Sequence, residues 1–534
     1  MKKIVSKILA VILVCIITSA NAQWALKVGS DKLDDNGYAI CTDSVGNSYV
    51  TGNFRDTINF GNISAMSSGQ TDIFIAKIDS LGNFIWVASA GGTSRDLGRA
   101  ITVDKNGNCY VTGTFSGTAK FGSTTLTGGG VFIAKLNSDG TFIWVKKAGS
   151  SSTGNVGGYG ITTDKNGNCY VTGYFDGSSD FGSNNLSGSG IFITKLDING
   201  SFIWAKRLGG LFGQNNYARG ISLDSDGNSY VVGYFVGTQD FGIETLTSAG
   251  SSDIAIFKIS SQGNLLWIKQ FGQNGDDRAY GISTDDGTNF YVTGSFMNKI
   301  TFGSTELTSR GDVDIFITKI DTSGNTLWVS QAGGESVDKA FAISTDKLGN
   351  NYITGTFKDV AQFGNVNCTS VIRSEDVFVS KIDANGNFIW TKQAGGGSKD
   401  EGYGISIDAQ GNSYITGSFF SDTATFGNII LTSNSFGDAF IAKFNGSSHN
   451  VGISDINKTD FSIYPNPASN VVTLTNLLNN TSVNITDLAG KQVYSTTANS
   501  TELSINTSGF ANGVYLVNVT NNGAVATKKL VINK

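Results

Sequence analysis

Asp104-Lys105-Asn106-Gly107-Asn108-Cys109-Tyr110-Val111-Thr112-Gly113 returns letter for letter as Asp164-Lys165-Asn166-Gly167-Asn168-Cys169-Tyr170-Val171-Thr172-Gly173. The pattern is spelled DSVGNSYVTG at 43–52, DSDGNSYVVG at 224–233, DDGTNFYVTG at 285–294, DKLGNNYITG at 346–355 and DAQGNSYITG at 408–417. Its tyrosines, Tyr49, Tyr110, Tyr170, Tyr230, Tyr291, Tyr352 and Tyr414, are spaced by 61, 60, 60, 61, 61 and 62 residues. Self-similarity at a fixed period decides the architecture before any local argument does.

Each copy reads as four short strands. In the fourth, Gly220 to Leu223 is followed by the turn Asp224 to Asn228 and the strand Ser229 to Phe235. A longer loop carries Phe241-Gly242. Ile254 to Ile259 then turns through Ser260-Ser261-Gln262-Gly263-Asn264 into Leu265 to Lys269. Gly-Asn turns between apolar runs are hairpin signals, since Gly takes the left-handed conformation that closes a tight connection. The strands are apolar on both faces, as in Ile73-Phe74-Ile75-Ala76, which is the reading of a sheet covered on both sides. Four-stranded antiparallel sheets repeated radially make a seven-bladed β-propeller. A linear β-solenoid is the alternative, with shorter coils lacking two hairpins each. Copy five departs at Asp285-Asp286-Gly287-Thr288-Asn289, so a different turn is expected there.

The tryptophans predict closure. Trp86, Trp144, Trp204, Trp267, Trp328 and Trp390 each follow a third strand, but the seventh copy ends at Asp438 to Lys443 without one. The remaining tryptophan is Trp24, in Gln23-Trp24-Ala25-Leu26-Lys27. The N-terminal strand is therefore expected to complete the last blade, removing the exposed edges of an open array. The D-x-x-G-N-x-Y-V-T-G core with its F-I-A-K and F-x-W segments resembles the SBBP-type bacterial β-propeller repeat, over residues 23–445. That resemblance implies a fold and a surface role, with no agreed ligand.

Residues 1–22 read as a signal peptide: Met1-Lys2-Lys3, an apolar stretch to Ile17, and an Ala20-Asn21-Ala22 cleavage site. The formal charge of −5 falls to about −8 once the three lysines of this segment leave. An acidic surface with no basic run repels phosphate backbones and anionic lipid, which argues against nucleic acid and against membrane insertion after signal removal. With 15% charged residues, 39% hydrophobic and 69 glycines, the profile is that of a turn-rich all-β protein. Cys41, Cys109, Cys169 and Cys368 remain. Cys109 and Cys169 fill the slot taken elsewhere by Ser48, Ser229 and Ser413, so they read as small buried residues on neighbouring repeats, too far apart for a disulfide.

A polar linker, 446–458, contains His449, and residues 459–534 change character. Both prolines of the chain lie in Tyr464-Pro465-Asn466-Pro467, and short apolar runs follow from Val471 to Ile532, suggesting a small β-sandwich. This end closely resembles the C-terminal sorting domain of the type IX secretion system of Bacteroidetes-like bacteria. The matching positions are Tyr464, Pro465, Asn466 and Pro467, then Gly490 and Lys491, Gly513 and Tyr515, and the basic pair Lys528 and Lys529. The resemblance implies the type IX machinery as partner and the extracellular space or outer-membrane surface of a Gram-negative bacterium as destination. An ordinary immunoglobulin-like module is the alternative.

The one histidine, His449, lies in the linker, so Ser-His-Asp, Cys-His and His-ligated metal sites cannot be assembled in the repeats. Five copies place an aspartate five residues before the first-strand Ile: Asp35, Asp96, Asp277, Asp338 and Asp400. Val156 and Asn216 stand there in the other two. Five-fold recurrence points to carboxylates that accept loop N–H groups; a carboxylate ring binding calcium is the other reading, and calcium the one cofactor these residues allow. The Asp-x-x-Gly-Asn turns resemble calcium loops only faintly, with Gly at the wrong position, and read as hairpins. Recognition is expected on the variable loops linking repeats, with Arg95, Arg99, Asn215, Tyr217, Arg219, Asp276, Arg278 and Lys399 as candidate ligand-binding residues. The expected function is a non-catalytic surface protein that recognises a glycan or protein. A polysaccharide-active enzyme using paired carboxylates and a purely structural surface component are the alternatives.

Overall fold

The computed structural model describes residues 22–30, 35–149, 156–210, 216–285, 288–433, 436–446, 461–478, 480–487, 491–521 and 524–534. The signal segment up to residue 21, His449 with most of the linker, Asn215 and Gly490 lie outside them. The fold is all-β and propeller-like; Val371–Arg373 is the sole helical turn among the described residues. The chain divides into two compact units, 1–448 and 449–534.

In the first unit each repeat forms an antiparallel sheet whose four strands pair in sequence order. In the second repeat, Leu97–Val103 pairs with Cys109–Phe115, this with Gly130–Leu136, and this with Phe142–Ala148. The central two strands are buried on both faces, as their Val, Ile, Phe and Tyr content demands. The motif residues have separate duties. Thr112 Oγ1 donates to the Phe132 carbonyl at 2.8 Å, and Thr51, Thr172, Thr293, Thr354 and Thr416 repeat the bond. Asp104 Oδ1 accepts the N–H groups of Asn106 and Asn108, and its Oδ2 accepts the Asn108 amide, which locks the hairpin turn around Gly107 at φ +77°. These turn aspartates are thus occupied by their own loop. Copy five keeps the chemistry despite its altered spelling: Asp285 accepts Asn289 N–H at 2.8 Å and the Asn289 amide at 2.9 Å.

The connection between second and third strands, read from the sequence as a loop, is a hairpin. Thr118–Phe121 pairs with Thr124–Thr127, Thr57–Phe60 with Ile63–Met66, and the Phe before each Phe-Gly corner is buried. In three junctions this hairpin also extends the preceding repeat's sheet, as where Ala119 faces Gly92. A Cβ on Gly92 would stand 1.9 Å from the Thr118 carbonyl, so only glycine admits that approach.

The first strands stand side by side. Asn36–Thr42 packs on Leu97–Val103, and the series continues through Gly157–Thr163, Tyr217–Leu223, Arg278–Asp285, Lys339–Thr345 and Asp400–Ile407, which packs on Asn36–Thr42 again. Ala22–Val28 pairs antiparallel with Asp438–Phe444, Trp24 facing Lys443 and Lys27 facing Phe440, and supplies the fourth strand of the last repeat's sheet. Each tryptophan packs edge-on or tilted against its own repeat's tyrosine, and all except Trp390, whose buried indole N–H has no acceptor, donate into the next repeat's second turn. Trp86 meets Tyr49 at 6.1 Å and bonds the Ser138 carbonyl at 2.8 Å; Trp144 meets Tyr110 and bonds the Ile198 carbonyl at 3.0 Å. Trp24 does the same across the chain ends, 6.0 Å from Tyr414 and 3.2 Å from the Ser80 carbonyl. The seven tyrosines are at most 1% exposed. All four cysteines of the described chain are free thiols, Cys109, Cys169 and Cys368 of them buried.

The second unit has two sheets, Ser462–Tyr464 with Val471–Thr475 and Glu502–Asn506, and Gln492–Ala498 with Thr481–Asp487, Gly513–Asn521 and Ala524–Ile532. They share a core of Val472, Leu474, Ile485, Ile505, Val517 and Leu530, among others.

Two expectations follow. Trp24 is half-buried, so Trp24→Ala should lower the unfolding free energy by about 2–4 kcal/mol, read from guanidinium denaturation; a midpoint equal to wild type would refute its bridging role. Burial lifts the carboxyls of Asp79, Asp285, Asp321 and Asp383, but the turn N–H bonds outweigh it and hold all four below the ordinary carboxylate value of 3.8. Folded values below unfolded ones mean stability that is present above 3.8 and lost as pH falls through and beneath it. Relative to a variant with all four changed to Asn, the wild-type denaturation midpoint should drop as pH falls from about 5 to about 3.

Candidate functional site

One residue on each first strand has no partner in the pairing register. The register jumps between Gly37 and Ala39, Gly98 and Ala100, Gly158 and Gly160, Ala218 and Gly220, Ala279 and Gly281, Ala340 and Ala342, and Gly402 and Gly404. Such a bulge turns the extra side chain away from the pleat. The glycine closing each Y-V-T-G motif makes room for it: a Cβ on Gly113 would lie 1.9 Å from the Leu97 carbonyl, and one on Gly173 1.9 Å from that of Gly157. The bulged residues are Tyr38, Tyr159, Tyr280, Phe341 and Tyr403, with Arg99 and Arg219 set among them. All seven line one cavity of about 550 Å³, and Arg278 reaches it from its own strand.

The residues touch in sequence around the wall. Tyr280 and Phe341 have ring centroids 5.4 Å apart, Phe341 and Tyr403 5.7 Å, and Tyr403 and Tyr38 5.6 Å. The Arg99 guanidinium is 5.0 Å from the Tyr38 ring and 5.4 Å from that of Tyr159; Arg219 is 4.7 Å from Tyr159 and 4.9 Å from Tyr217. Arg278 stacks on Tyr234 at 4.7 Å, and its Nε bonds Asp276 Oδ1 at 2.8 Å. Arg99 and Arg219 form no ion pair among the described residues. The Nε of each is buried with no acceptor, and Arg219 Nη2 donates only to the Tyr234 hydroxyl at 3.3 Å. At the rim, Tyr403 donates to Glu401 at 2.6 Å, and burial pushes its phenol well up.

The structure therefore brings together Arg99, Tyr217, Arg219 and Arg278 of the sequence candidates, on strands facing inward rather than on the linking loops. Arg95 is exposed and lines a smaller adjoining cavity with Arg99, Tyr159 and Tyr217. Asp276 serves Arg278. Lys399 stands apart in an ion pair with Glu401 at 2.8 Å and Glu375 at 3.8 Å. Asn215 lies outside the described residues. Sequence reasoning missed Tyr38, Tyr159, Tyr280, Phe341 and Tyr403. Their signal was present: the residue before each first-strand Ala-Ile or Gly-Ile is aromatic or arginine in every copy.

The five aspartates do not converge into one ring. Each is buried at its own junction between repeats and spends both oxygens on main-chain N–H groups. Asp96 accepts from Gly92 at 2.8 Å and Ser116 at 2.9 Å, and Asp338 from Gly334 at 2.7 Å and Lys358 at 3.0 Å. Asp35 takes Ser30 and Arg55, Asp277 takes Gln273 and Met297, and Asp400 takes Gly396 and Phe420. Burial lifts the carboxyls of Asp35, Asp277 and Asp338 to about 7 and those of Asp96 and Asp400 to about 6, against the pull of these bonds. Among the described residues no group of three or more His, Cys, Asp or Glu is placed to hold a metal ion.

In the second unit Asn466 clamps the last strand, its amide donating to the Lys529 carbonyl at 2.7 Å and its Oδ1 accepting Val531 N–H at 2.8 Å. Tyr464 beside it is exposed, and Pro465 and Pro467 flank the clamp. Lys491 closes a turn onto Asp487. Tyr515 follows Gly513, is buried, and donates to the Ala511 carbonyl at 2.9 Å; Lys528 lies 5.4 Å over the Phe461 ring, and Lys529 is exposed.

Comparison with known proteins agrees with these two parts. Residues 462–533 match the family described as secretion system C-terminal sorting domain, and residues 203–234 and 389–418 match the beta-propeller repeat family. An uncharacterized WD repeat-containing protein of Acanthamoeba polyphaga mimivirus is 23% identical over 80% of this chain and 39% of its own length. The regulatory protein FlaEY of Caulobacter vibrioides is 28% identical over 32% of this chain and 18% of its own. The chain thus spans less than two fifths of these curated relatives. Among solved structures, PorZ, an essential surface component of the type-IX secretion system of Porphyromonas gingivalis, aligns over 94% of this chain and 74% of its own, with 13% identity and a TM-score of 0.30. No helix among the described residues is long and apolar enough to cross a membrane. The chain carries SBBP-type beta-propeller repeats followed by a type IX sorting domain, and is a secreted or cell-surface protein of a Bacteroidetes-like bacterium.

Proposed function

We propose that the mature chain, after loss of residues 1–22, is a seven-bladed β-propeller over 23–445, closed by its N-terminal strand, linked through 446–458 to a sandwich-like sorting domain at 459–534. Its role is non-catalytic recognition at the cell surface, and its ligand is an acidic glycan seated in the central cavity. One observation carries this reading: Arg99 and Arg219 each hold a guanidinium with no ion-pair partner and a buried Nε without an acceptor, in a wall rich in aromatic rings. Rings supply flat apolar faces for a sugar, and a guanidinium binds carboxylate or sulfate through two parallel hydrogen bonds. The favourable return of those donors to a charged partner supplies the binding energy, since buried unsatisfied polar groups cost about 1–3 kcal/mol each. The residues lining the cavity include no Asp or Glu, which leaves paired-carboxylate hydrolysis without its groups at the wall.

The test is a glycan array probed with the mature propeller-containing chain. Uronic acid or sulfated glycans should bind, neutral ones should not, and Arg219→Gln or Arg99→Gln should weaken binding at least about tenfold. Equal binding by the double variant, or product release from a bound polysaccharide, would refute the reading. Deleting residues 459–534 should leave the propeller in the periplasm, while the full chain reaches the medium or the cell surface; cell fractionation reads this directly.

A further inference from the structure

The junctions between repeats hold a second pattern, independent of the central cavity. Opposite the phenylalanine that ends the second strand stands Asp72, Asp253, Asp314, Asp376 or Asp438 in five repeats, and Gly130 or Gly190 in the other two. The five repeats with this aspartate are the ones whose following junction carries the second, as Asp96, Asp277, Asp338, Asp400 and, across the chain ends, Asp35. Gly130 and Gly190 go with Val156 and Asn216. Both carboxylates are present or both are absent, so they act as a pair.

They also meet in space. A Cβ on Gly333 would lie 2.8 Å from Asp314 Oδ1 and 2.9 Å from Asp338 Oδ2; on Gly395 it would lie 3.0 Å from Asp376 Oδ1 and 3.0 Å from Asp400 Oδ2. A Cβ on Gly91 or Gly272 would fall 2.7 Å from Oδ1 of Asp72 or Asp253, and the charges of Asp72 and Asp253 act on Asp96 and Asp277 across their junctions. Two buried like charges at such range need a counter-charge or protons. Side-chain partners differ from junction to junction. Lys27 places its ammonium 3.0 Å from Asp438 Oδ2, and at the Asp376–Asp400 junction Ser374 and Ser421 donate hydroxyls to the two carboxylates. The position of Lys27 is taken by Ser89, Gln270 and Gln331 in the remaining three, where the neutral amides of Gln270 and Gln331 donate to Oδ2 of Asp253 and Asp314, both at 2.6 Å. There Asp72, Asp253 and Asp314 are at most 3% exposed, and the Oδ1 of each has no hydrogen-bond partner. Arg310, near the third pair, gives its guanidinium to the Gly333 carbonyl at 2.8 Å instead.

We propose that Asp72–Asp96, Asp253–Asp277 and Asp314–Asp338 each bind one hard divalent cation, calcium in the extracellular setting, which ties one repeat to the next. Calcium takes carboxylate oxygens at about 2.3–2.6 Å and completes its shell with carbonyls and water, and extracellular modules bind it in the range of about 0.1–1 mM. Burial raises the carboxyls of Asp72, Asp253 and Asp314, so a bound cation also relieves that cost.

The experiment uses the full mature chain, stripped with chelator and titrated with calcium chloride. Mass spectrometry of dialysed protein should find about three calcium ions per chain, and the melting temperature should rise by about 3–6 °C to saturation. A variant combining Ser89→Lys, Gln270→Lys and Gln331→Lys, which copies the Lys27 junction, should fold and lose the calcium response. Should it fail to fold, Asp72→Asn with Asp253→Asn and Asp314→Asn gives the same readout. No bound calcium and no thermal shift in the wild-type chain would overturn the proposal, as would a shift that survives either variant. Glycan binding by the cavity is measured separately and is unaffected by either outcome.

Discussion

The fold depends on contacts that leave one repeat and end in the next. A tryptophan on the outer strand donates its indole N–H into the neighbouring turn, and the tyrosine beside it lies fully enclosed, its hydroxyl reaching the same neighbour, as Tyr110 does to the Gly167 carbonyl at 3.2 Å. A single repeat has no one to donate to, and its two-faced apolar strands have nothing to cover them. Stability is therefore a property of adjacent pairs rather than of repeats. At the chain ends Trp24 donates to the Ser80 carbonyl in the same way.

The cavity wall grows from the same local grammar. A glycine chosen for close approach permits a bulge; the bulge turns one side chain inward; the repetition gathers seven such side chains around a cavity. Because the scaffold needs only the glycine and the flanking Ile, the bulged position is free to vary. Its restriction to aromatic residues and arginine makes a wall in which each ring or guanidinium packs on its neighbours.

Much of the fold was legible in the sequence because it rests on short-range rules. The Gly-Asn turns and the recurring Tyr and Trp positions are local signals of this kind. The hairpin at Phe241-Gly242 gave no such signal, because its strands are three or four residues long and half exposed, too short for periodicity to register. The site was legible only in part. Arg99, Arg219 and Arg278 stood out as charges in a sparsely charged chain, yet loops were expected where bulged strands exist. The aromatic members were hidden because an aromatic residue on a strand reads as core. The Asp72–Asp96 type of pairing escaped notice because its members belong to consecutive copies, and one pair spans the two ends of the chain.

The strand Asp438–Phe444 is held on both flanks, by Ala22–Val28 on one side and Ser413–Phe419 on the other. It is also where the chain leaves toward the sorting domain. Tension applied through that exit, as drag on a tethered molecule would apply it, loads two ladders of hydrogen bonds in shear at once instead of peeling an edge one rung at a time. The architecture that hides the seam thus also gives the molecule its grip where a tow line would attach.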